Sequence, residues 1–157
     1  MKYFTTTLKR TAKKIPDSFY TFFTLAAAAQ INYAIIHSSF VYVALLVMLI
    51  HELGHYYTSK KYTNKSKLPL FIPFPFFVIG ITRVPKLSSP ATKHIAISGP
   101  LFGATAAGLI FVLNLIFNFT SSIPILFLML GELIFNYIGA DGAKYRKAKK
   151  DYLLCTS

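Results

Sequence analysis

The sequence predicts an all-α polytopic membrane protein with four transmembrane helices and a proline-rich re-entrant or β-hairpin segment between the second and third helices. Hydrophobic residues make up 54% of the 157-residue chain, yet its formal net charge is +12. The cations lie between apolar runs that are long enough to cross a bilayer. A nucleic-acid-binding domain would instead carry a basic face on a modestly apolar core, so we expect no nucleic-acid partner.

The first two predicted crossings follow each other near the N-terminus. Residues 1–16 hold five cations and no acid, which indicates a solvated cytoplasmic arm. The first crossing then covers 18–36, roughly 28 Å as a helix. No small-residue cleavage site clearly follows it, so we expect this helix to be retained. The uncharged residues 37–39 connect it to the second crossing at 40–57.

The segment 68–84 is strongly apolar but too broken to span a membrane. Pro69, Pro73 and Pro75 forbid a continuous helix there, and strand-forming residues follow around a predicted turn at Gly80. We therefore expect a re-entrant or interfacial hairpin, whose backbone must be covered by protein or line a polar cavity. A plain amphiphilic loop is the alternative.

The third and fourth predicted crossings, at 95–119 and 123–140, lie on either side of an uncharged turn. In the third, Gly99 and Gly103 belong to a stripe of small residues four apart, which lets helices approach closely in lipid. We interpret it as the central packing helix. The fourth crossing leads into a basic cytoplasmic tail at 144–157.

The distribution of cations predicts the topology. Four crossings place both termini and the loop 58–93 on one side, and these three segments hold all 17 lysines and arginines. The positive-inside rule assigns that side to the cytoplasm, where the basic segments would meet anionic lipid headgroups. We expect a single integral membrane domain over residues 1–157, in a prokaryotic cell membrane.

The second crossing carries the pattern HELGH at residues 51–55. On a helix, His51 and His55 share a face and can bind one metal ion, with Glu52 beside them. In apolar surroundings, two imidazoles and an acid would be costly to desolvate unless they are paired or have a function. The pattern therefore predicts one Zn²⁺ per chain, which would activate a water for attack on a carbonyl while Glu52 acts as general base.

Two histidines and a water leave zinc one protein ligand short. Asp141 ends the fourth crossing on the side toward which the second crossing runs, and it is the preferred ligand; Glu132, near the middle of that crossing, is the alternative. Helical rise places His51 roughly 17 Å and Asp141 roughly 27 Å from the outer turns. Their meeting therefore requires offset helices or unwinding, which Gly139 permits. The lone Cys155 excludes a cysteine-based zinc site.

In their order along the chain, these features resemble the site-2 protease family of intramembrane zinc metalloproteases over roughly residues 40–145. The resemblance rests on the HELGH pattern at 51–55, Phe-Ile-Pro-Phe at 71–74, a Gly-Pro element at 95–101 and an Asn-to-Asp-Gly element at 136–142. The last element is shorter than the family's and contains no proline.

The resemblance implies roles for individual residues. It implies that His51, His55 and Asp141 bind zinc, that Glu52 is general base and acid, and that the substrate is a membrane-spanning helix of another protein. Asn136 takes the place of a substrate-binding or oxyanion group. A locally extended substrate could add to a strand edge in the hairpin, where the candidate residues are Phe76, Phe77, Val78, Ile79, Gly80 and Ile81.

Two other functions compete with an intramembrane endopeptidase. The chain could be a catalytically silent relative that captures membrane helices, although zinc retention alone would not need the intact Glu52. It could also be a membrane zinc peptidase of another class, with Glu132 as third ligand.

Overall fold

The computed structural model of the chain describes residues 16–74, 77–119 and 121–156, apart from the side chains at positions 77, 135–137, 155 and 156. This part is mostly helical and contains one two-stranded sheet. In chain order, the elements are α1 (Asp17–Ile36), α2 (Phe40–Lys60), β1 (Lys67–Phe74), β2 (Phe77–Arg83), α3 (Ser89–Phe117), α4 (Ser122–Ile138) and α5 (Ala140–Thr156).

Three of the described helices are long and apolar enough to cross a membrane. They are α1, α2 and α3, with 20, 21 and 29 residues, and they match the first three predicted crossings. The helix α4 is apolar but shorter, with 17 residues, or about 26 Å. It ends at Ile138, two residues before the predicted end, and the fourth crossing stays a prediction.

The third long helix, α3, begins before the predicted crossing. It starts at Ser89, six residues ahead of the apolar run, because Ser88 is extended and Pro90 lies in the first turn. A proline at this position loses no helical hydrogen bond, since the first N–H groups of a helix have no partner in any case. The polar first turns of α3 therefore extend beyond its apolar part.

The apolar segment between α2 and α3 forms a β-hairpin. The strands β1 and β2 pair antiparallel, with Phe71 opposite Gly80 and Phe74 opposite Phe77. The predicted turn at Gly80 is therefore wrong, because Gly80 lies within β2. Strand-forming residues continue on both sides of this glycine, and the connection between the strands passes through residues 75 and 76, outside the described part.

The outer edge of β1 is covered by the first helix. Thr21 donates its hydroxyl to the carbonyl of Pro69 (2.6 Å), and the N–H of Phe71 donates to the hydroxyl of Thr24 (3.2 Å). Backbone groups alternate in direction along a strand, so Pro73 also turns toward this edge. Prolines at these positions remove no hydrogen bond between the two strands, which explains why an apolar strand tolerates them.

The two faces of the hairpin differ in burial. Phe71 and Val78 pack in a core cluster with Ala28 of α1 and with Val41 and Leu45 of α2. The other face is apolar and about 40% exposed, through Ile72, Phe74, Ile79 and Ile81. The hairpin is thus fixed against the first two helices and presents a second apolar surface outward.

The helices α2 and α3 approach each other closely where the HELGH pattern lies. A Cβ atom on Gly54 would lie 2.8 Å from the carbonyl oxygen of Ser98 and 2.9 Å from Cβ of Phe102. Ser98 donates its hydroxyl to the Gly54 carbonyl at 3.1 Å. Only a glycine on α2 leaves this space, so the approach fixes which face of α3 meets the histidines.

Candidate metal centre

The two histidines of the HELGH pattern lie together on the buried face of α2. His51 and His55 are both buried, and their ring centroids are 4.9 Å apart. This is the result expected for positions i and i+4 of a helix. The rings point toward α3 and α5 rather than toward the exposed apolar side of α2.

Asp141 reaches the histidines because the chain breaks between α4 and α5. The helix α4 ends at Ile138, and α5 begins at Ala140, where the N–H of Ala143 donates to the carbonyl of Gly139 (3.0 Å). Oδ2 of Asp141 lies 3.1 Å from Nε2 of His55 and 3.4 Å from Nε2 of His51. Helical rise predicts that His51 and Asp141 lie at different depths. This break and the placement of the helices bring the two residues together.

The carboxyl group of Asp141 is held in its charged form. It lies in the first turn of α5, where the helix dipole favours a negative charge. Burial on its own would raise the pKa of Asp141, but the neighbouring imidazoles and the Lys144 ammonium group outweigh burial, so the pKa lies well below its usual range. A carboxylate that stays ionised in a buried site suits a cation.

A hydrogen bond at the far nitrogen fixes the orientation of each imidazole. Nδ1 of His51 donates to Oε2 of Glu132 (2.6 Å), and Nδ1 of His55 donates to the carbonyl oxygen of Ile95 (2.6 Å). With Nδ1 donating in both rings, Nε2 is the nitrogen left to bind a metal ion, which takes the place of any proton it carries. Metal-binding histidines are usually held in this way by a carboxylate or a backbone carbonyl.

The three side chains fit a zinc ion with one open position. Nε2 of His51, Nε2 of His55 and a carboxylate oxygen of Asp141 all lie within 4.8 Å of one another. Ligands of a tetrahedral zinc lie about 3.4 Å apart, so small side-chain shifts bring this set to the required geometry. Two imidazoles and one carboxylate are a donor set of catalytic zinc sites.

Glu132 lies on the side of His51 away from Asp141. Its carboxylate contacts Nδ1 of His51, whereas the atoms of the three-residue set meet at Nε2. In this arrangement Asp141 is the acid that joins the two histidines, and Glu132 orients one of them. Of the two acids considered as third ligand from the sequence, the structure places only Asp141 with both Nε2 atoms.

Glycines on α3 leave room for the site. A Cβ atom on Gly103 would lie 2.5 Å from Oε2 of Glu132 and 3.2 Å from Cβ of His51, and one on Gly99 would collide with the ring of His55. Their spacing in the sequence predicted helix packing positions, and this second role was missed. The signal was present, because the two glycines have the same spacing of four as the histidines they face.

Glu52 lies next to the three candidate metal ligands and against the hairpin. It is buried, and its backbone carbonyl accepts a hydrogen bond from the Thr82 hydroxyl at 3.0 Å. A Cβ atom on Gly80 would lie 2.6 Å from Cγ of Glu52. The absence of a side chain at Gly80 is what allows β2 to lie directly beside the candidate general base.

A cleft of about 790 Å³ opens beside this carboxylate. One wall is β2 with the segment that follows it, another is the first part of α3, and the third is one face of α5. Glu52, His55 and Asp141 are among the residues that line it. The cleft therefore connects these three groups with the outside of the fold.

The predicted substrate-binding residues do not all lie at the cleft. Ile79, Gly80 and Ile81 line the cleft, whereas Val78 is buried in the core behind it. Phe76 and the side chains of Phe77 and Asn136 lie outside the described part, so their predicted roles stay predictions.

The chain is similar in sequence to a known zinc metalloprotease. The chain is 28% identical, over 149 residues, to a zinc metalloprotease, MJ0392, of Methanocaldococcus jannaschii. The match covers 85% of this chain but 42% of the relative, so the chain spans less than half of that protein's length. No family model matches, and no solved structure matches. The similarity agrees with a zinc metalloprotease in general.

Proposed function

We propose that the chain is an intramembrane zinc endopeptidase of the site-2 protease type. It would hydrolyse a peptide bond in or near the transmembrane segment of a membrane-tethered protein. The observation that carries the proposal is the meeting of His51, His55 and Asp141, from two separate helices, where Glu52, His55 and Asp141 line an open cleft. The similarity to a zinc metalloprotease supports the same chemistry.

Each of these side chains would have a different role in the hydrolysis. His51, His55 and Asp141 would hold the zinc, which would supply Lewis acidity to a water and to the scissile carbonyl. Glu52 takes a proton from the attacking water and later delivers it to the leaving amine. Glu132 and the Ile95 carbonyl keep the two imidazoles in the correct tautomer.

The outer edge of β2 is the proposed binding site for the substrate backbone. The edge of β1 is covered by α1, and the register turns the outward N–H and C=O groups of β2 to Val78, Gly80 and Thr82. Gly80 and Thr82 line the cleft. An extended peptide added here would pass directly beside Glu52, and its carbonyls would be freed from helical hydrogen bonds.

The membrane arrangement is also part of the proposal. Three described helices, with α4 as a fourth, would cross the bilayer with both termini in the cytoplasm. On the exposed apolar face of the hairpin, Ile72 and Phe74 would contact lipid tails, whereas Ile79 and Ile81 line the cleft. The basic segments would contact anionic headgroups. The cleft would then open toward the cytoplasm, which supplies the water that hydrolysis consumes.

Substitution of the general base tests the function. Glu52→Gln should keep zinc and abolish cleavage of a co-expressed, membrane-tethered reporter, since the amide cannot accept the proton of the water. Unchanged cleavage in this variant would refute the proposal. A parent chain that binds zinc and captures the reporter without cleaving it would support the silent relative instead.

Backbone-modified substrates test strand addition. In a peptide substrate, N-methyl groups at successive positions should weaken binding at every second residue, because only alternate N–H groups face β2. The same methyl groups one residue away serve as the matched controls. A uniform response along the peptide would contradict strand addition and leave the hydrolytic function open.

A further inference from the structure

We propose that the cleft selects substrates with acidic residues on the cytoplasmic side of the scissile bond. This inference rests on the proposed endopeptidase function and names its substrate class. It arises from the charges on the walls of the cleft beyond the metal centre.

One wall of the cleft is a single face of α5. Asp141, Lys144, Lys147 and Asp151 line the cleft at helical spacing. At 1.5 Å per residue, Lys147 lies about 9 Å from Asp141 along the helix axis. The cleft therefore continues outward from the metal ligands past two lysines.

The wall formed by β2 and the segment after it adds a third lysine to the cleft. The strand β2 runs from Gly80, beside Glu52, to Arg83, and the segment that follows places Lys86 on the cleft. Both walls thus lead away from Glu52. Lys86 and Lys147 are exposed at this outer part, so a bound peptide can reach their ammonium groups.

The acids of the cleft do not neutralise these cations. Glu52 belongs to the proposed catalytic machinery, and Asp141 pairs with Lys144 through its second oxygen at 3.2 Å. Apart from that pair, the cleft is lined by two cations, Lys86 and Lys147, and by one acid, Asp151. The outer cleft is therefore net positive and favours a carboxylate on the peptide that occupies it.

Peptide geometry sets the position of the favoured acids. An extended chain rises about 3.3 Å per residue, so the 9 Å between Asp141 and Lys147 corresponds to about three residues. We expect carboxylates two to four residues from the scissile bond. Ordinary membrane proteins carry lysine and arginine on their cytoplasmic flank, and a cationic cleft would disfavour them. The charge would thus restrict cleavage to a minority of membrane helices.

Binding of labelled peptides tests this inference without relying on turnover. Purified Glu52→Gln in phosphatidylcholine nanodiscs would be titrated with fluorescent peptides that differ only in carrying Asp-Glu, Gln-Gln or Lys-Lys at the flanking positions. At low ionic strength we expect the acidic peptide to bind about tenfold more tightly than the basic one, and the preference to weaken in high salt.

Two double variants of equal charge locate the effect. K86E/K147E should remove or reverse the preference, because both residues line the cleft. K149E/K150E changes the net charge by the same amount at two residues of α5 that do not line the cleft, so it should keep both the preference and the basal cleavage. Equal loss in the two variants would overturn the inference, since it would mean a general surface effect.

Further outcomes distinguish failure of this inference from failure of the proposed endopeptidase function. Equal binding of acidic and basic peptides would overturn it, and so would a preference that K86E/K147E leaves unchanged, because the lysines of the cleft would then not be its source. Neither result affects Glu52-dependent cleavage of the reporter. Absence of that cleavage in the parent chain would instead refute the endopeptidase function.

Discussion

The two histidines of the candidate metal centre lie four residues apart on one helix, but they are held by different kinds of partner. His51 donates to the side chain of Glu132 on α4, and His55 donates to the backbone carbonyl of Ile95 on α3. A carboxylate can be removed by one substitution, whereas a carbonyl stays wherever the backbone stays. His51 therefore depends on one residue, and His55 depends on the close packing of α2 against α3.

The difference shows what each neighbouring helix contributes. The helix α3 supplies space and a carbonyl, and its glycines at 99 and 103 are needed because side chains there would occupy the volume of the site. The helices α4 and α5 supply charge, through Glu132 and Asp141. Substitutions on α3 should thus act through packing, and those on α4 and α5 through electrostatics.

Among the groups around the three candidate ligands, the largest expected effect comes from the packing of α3. Gly99→Ala would place a methyl group in the His55 ring and 2.7 Å from its Cδ2 atom, so we expect zinc affinity to fall about 100-fold or more. The free energy of unfolding should fall by about 1–3 kcal/mol, the usual cost of overpacking. Zinc titration and thermal unfolding would measure both.

A second glycine on the same helix is the matched control for this substitution. The nearest atom to a Cβ on Gly108 is the sulfur of Met129, at 3.8 Å, which is ordinary contact. Gly108→Ala should therefore leave zinc affinity unchanged. If both variants behave alike, the effect belongs to helix flexibility rather than to the His55 ring.

An intermediate effect is expected from the charged partner of His51. Glu132→Ala should weaken zinc binding about 100-fold and Glu132→Gln about tenfold, because the amide oxygen still accepts the Nδ1–H bond without the charge. Isothermal titration with zinc would give both values. Leu133→Ala, at the exposed neighbouring position, is the control and should bind zinc like the parent. Affinity that is unchanged in Glu132→Ala would contradict the orienting role.

The smallest expected effect belongs to the partner of Asp141. Lys144 contacts the second oxygen of Asp141 at 3.2 Å, but its side chain is 63% exposed, and exposed ion pairs contribute little. Lys144→Met should change zinc affinity less than about threefold, and salt should reduce the difference. A tenfold or larger loss would show that the ammonium group holds Asp141 in place.

The three side chains that cluster could be predicted from the sequence more completely than the groups around them. The spacing of His51 and His55 follows directly from helical periodicity, and Asp141 follows from topology because few acids lie within reach of zinc. The partners of the imidazoles depend on how α3 and α4 cross α2, which periodicity within one helix does not specify. Glu132 was therefore a candidate ligand, and the Ile95 carbonyl was not foreseen.

The hairpin shows a similar limit. Its prolines and β-branched residues predicted strands, because prolines forbid a helix and a broken apolar segment cannot span. The turn was placed at Gly80 because glycine is the usual turn residue. The structure uses this glycine inside β2 instead, to clear the Glu52 side chain. In a single sequence, a glycine that allows a close approach between distant segments cannot be told from a glycine that forms a turn.

The most direct test of the central claim is the zinc content of purified Asp141→Asn, measured beside the parent chain and Glu132→Gln. We predict one zinc per chain in the parent, near zero in Asp141→Asn, and zinc retained at saturating metal in Glu132→Gln. Full occupancy in Asp141→Asn, with loss in Glu132→Gln, would show that the two histidines share their ion with the other acid and would contradict this account.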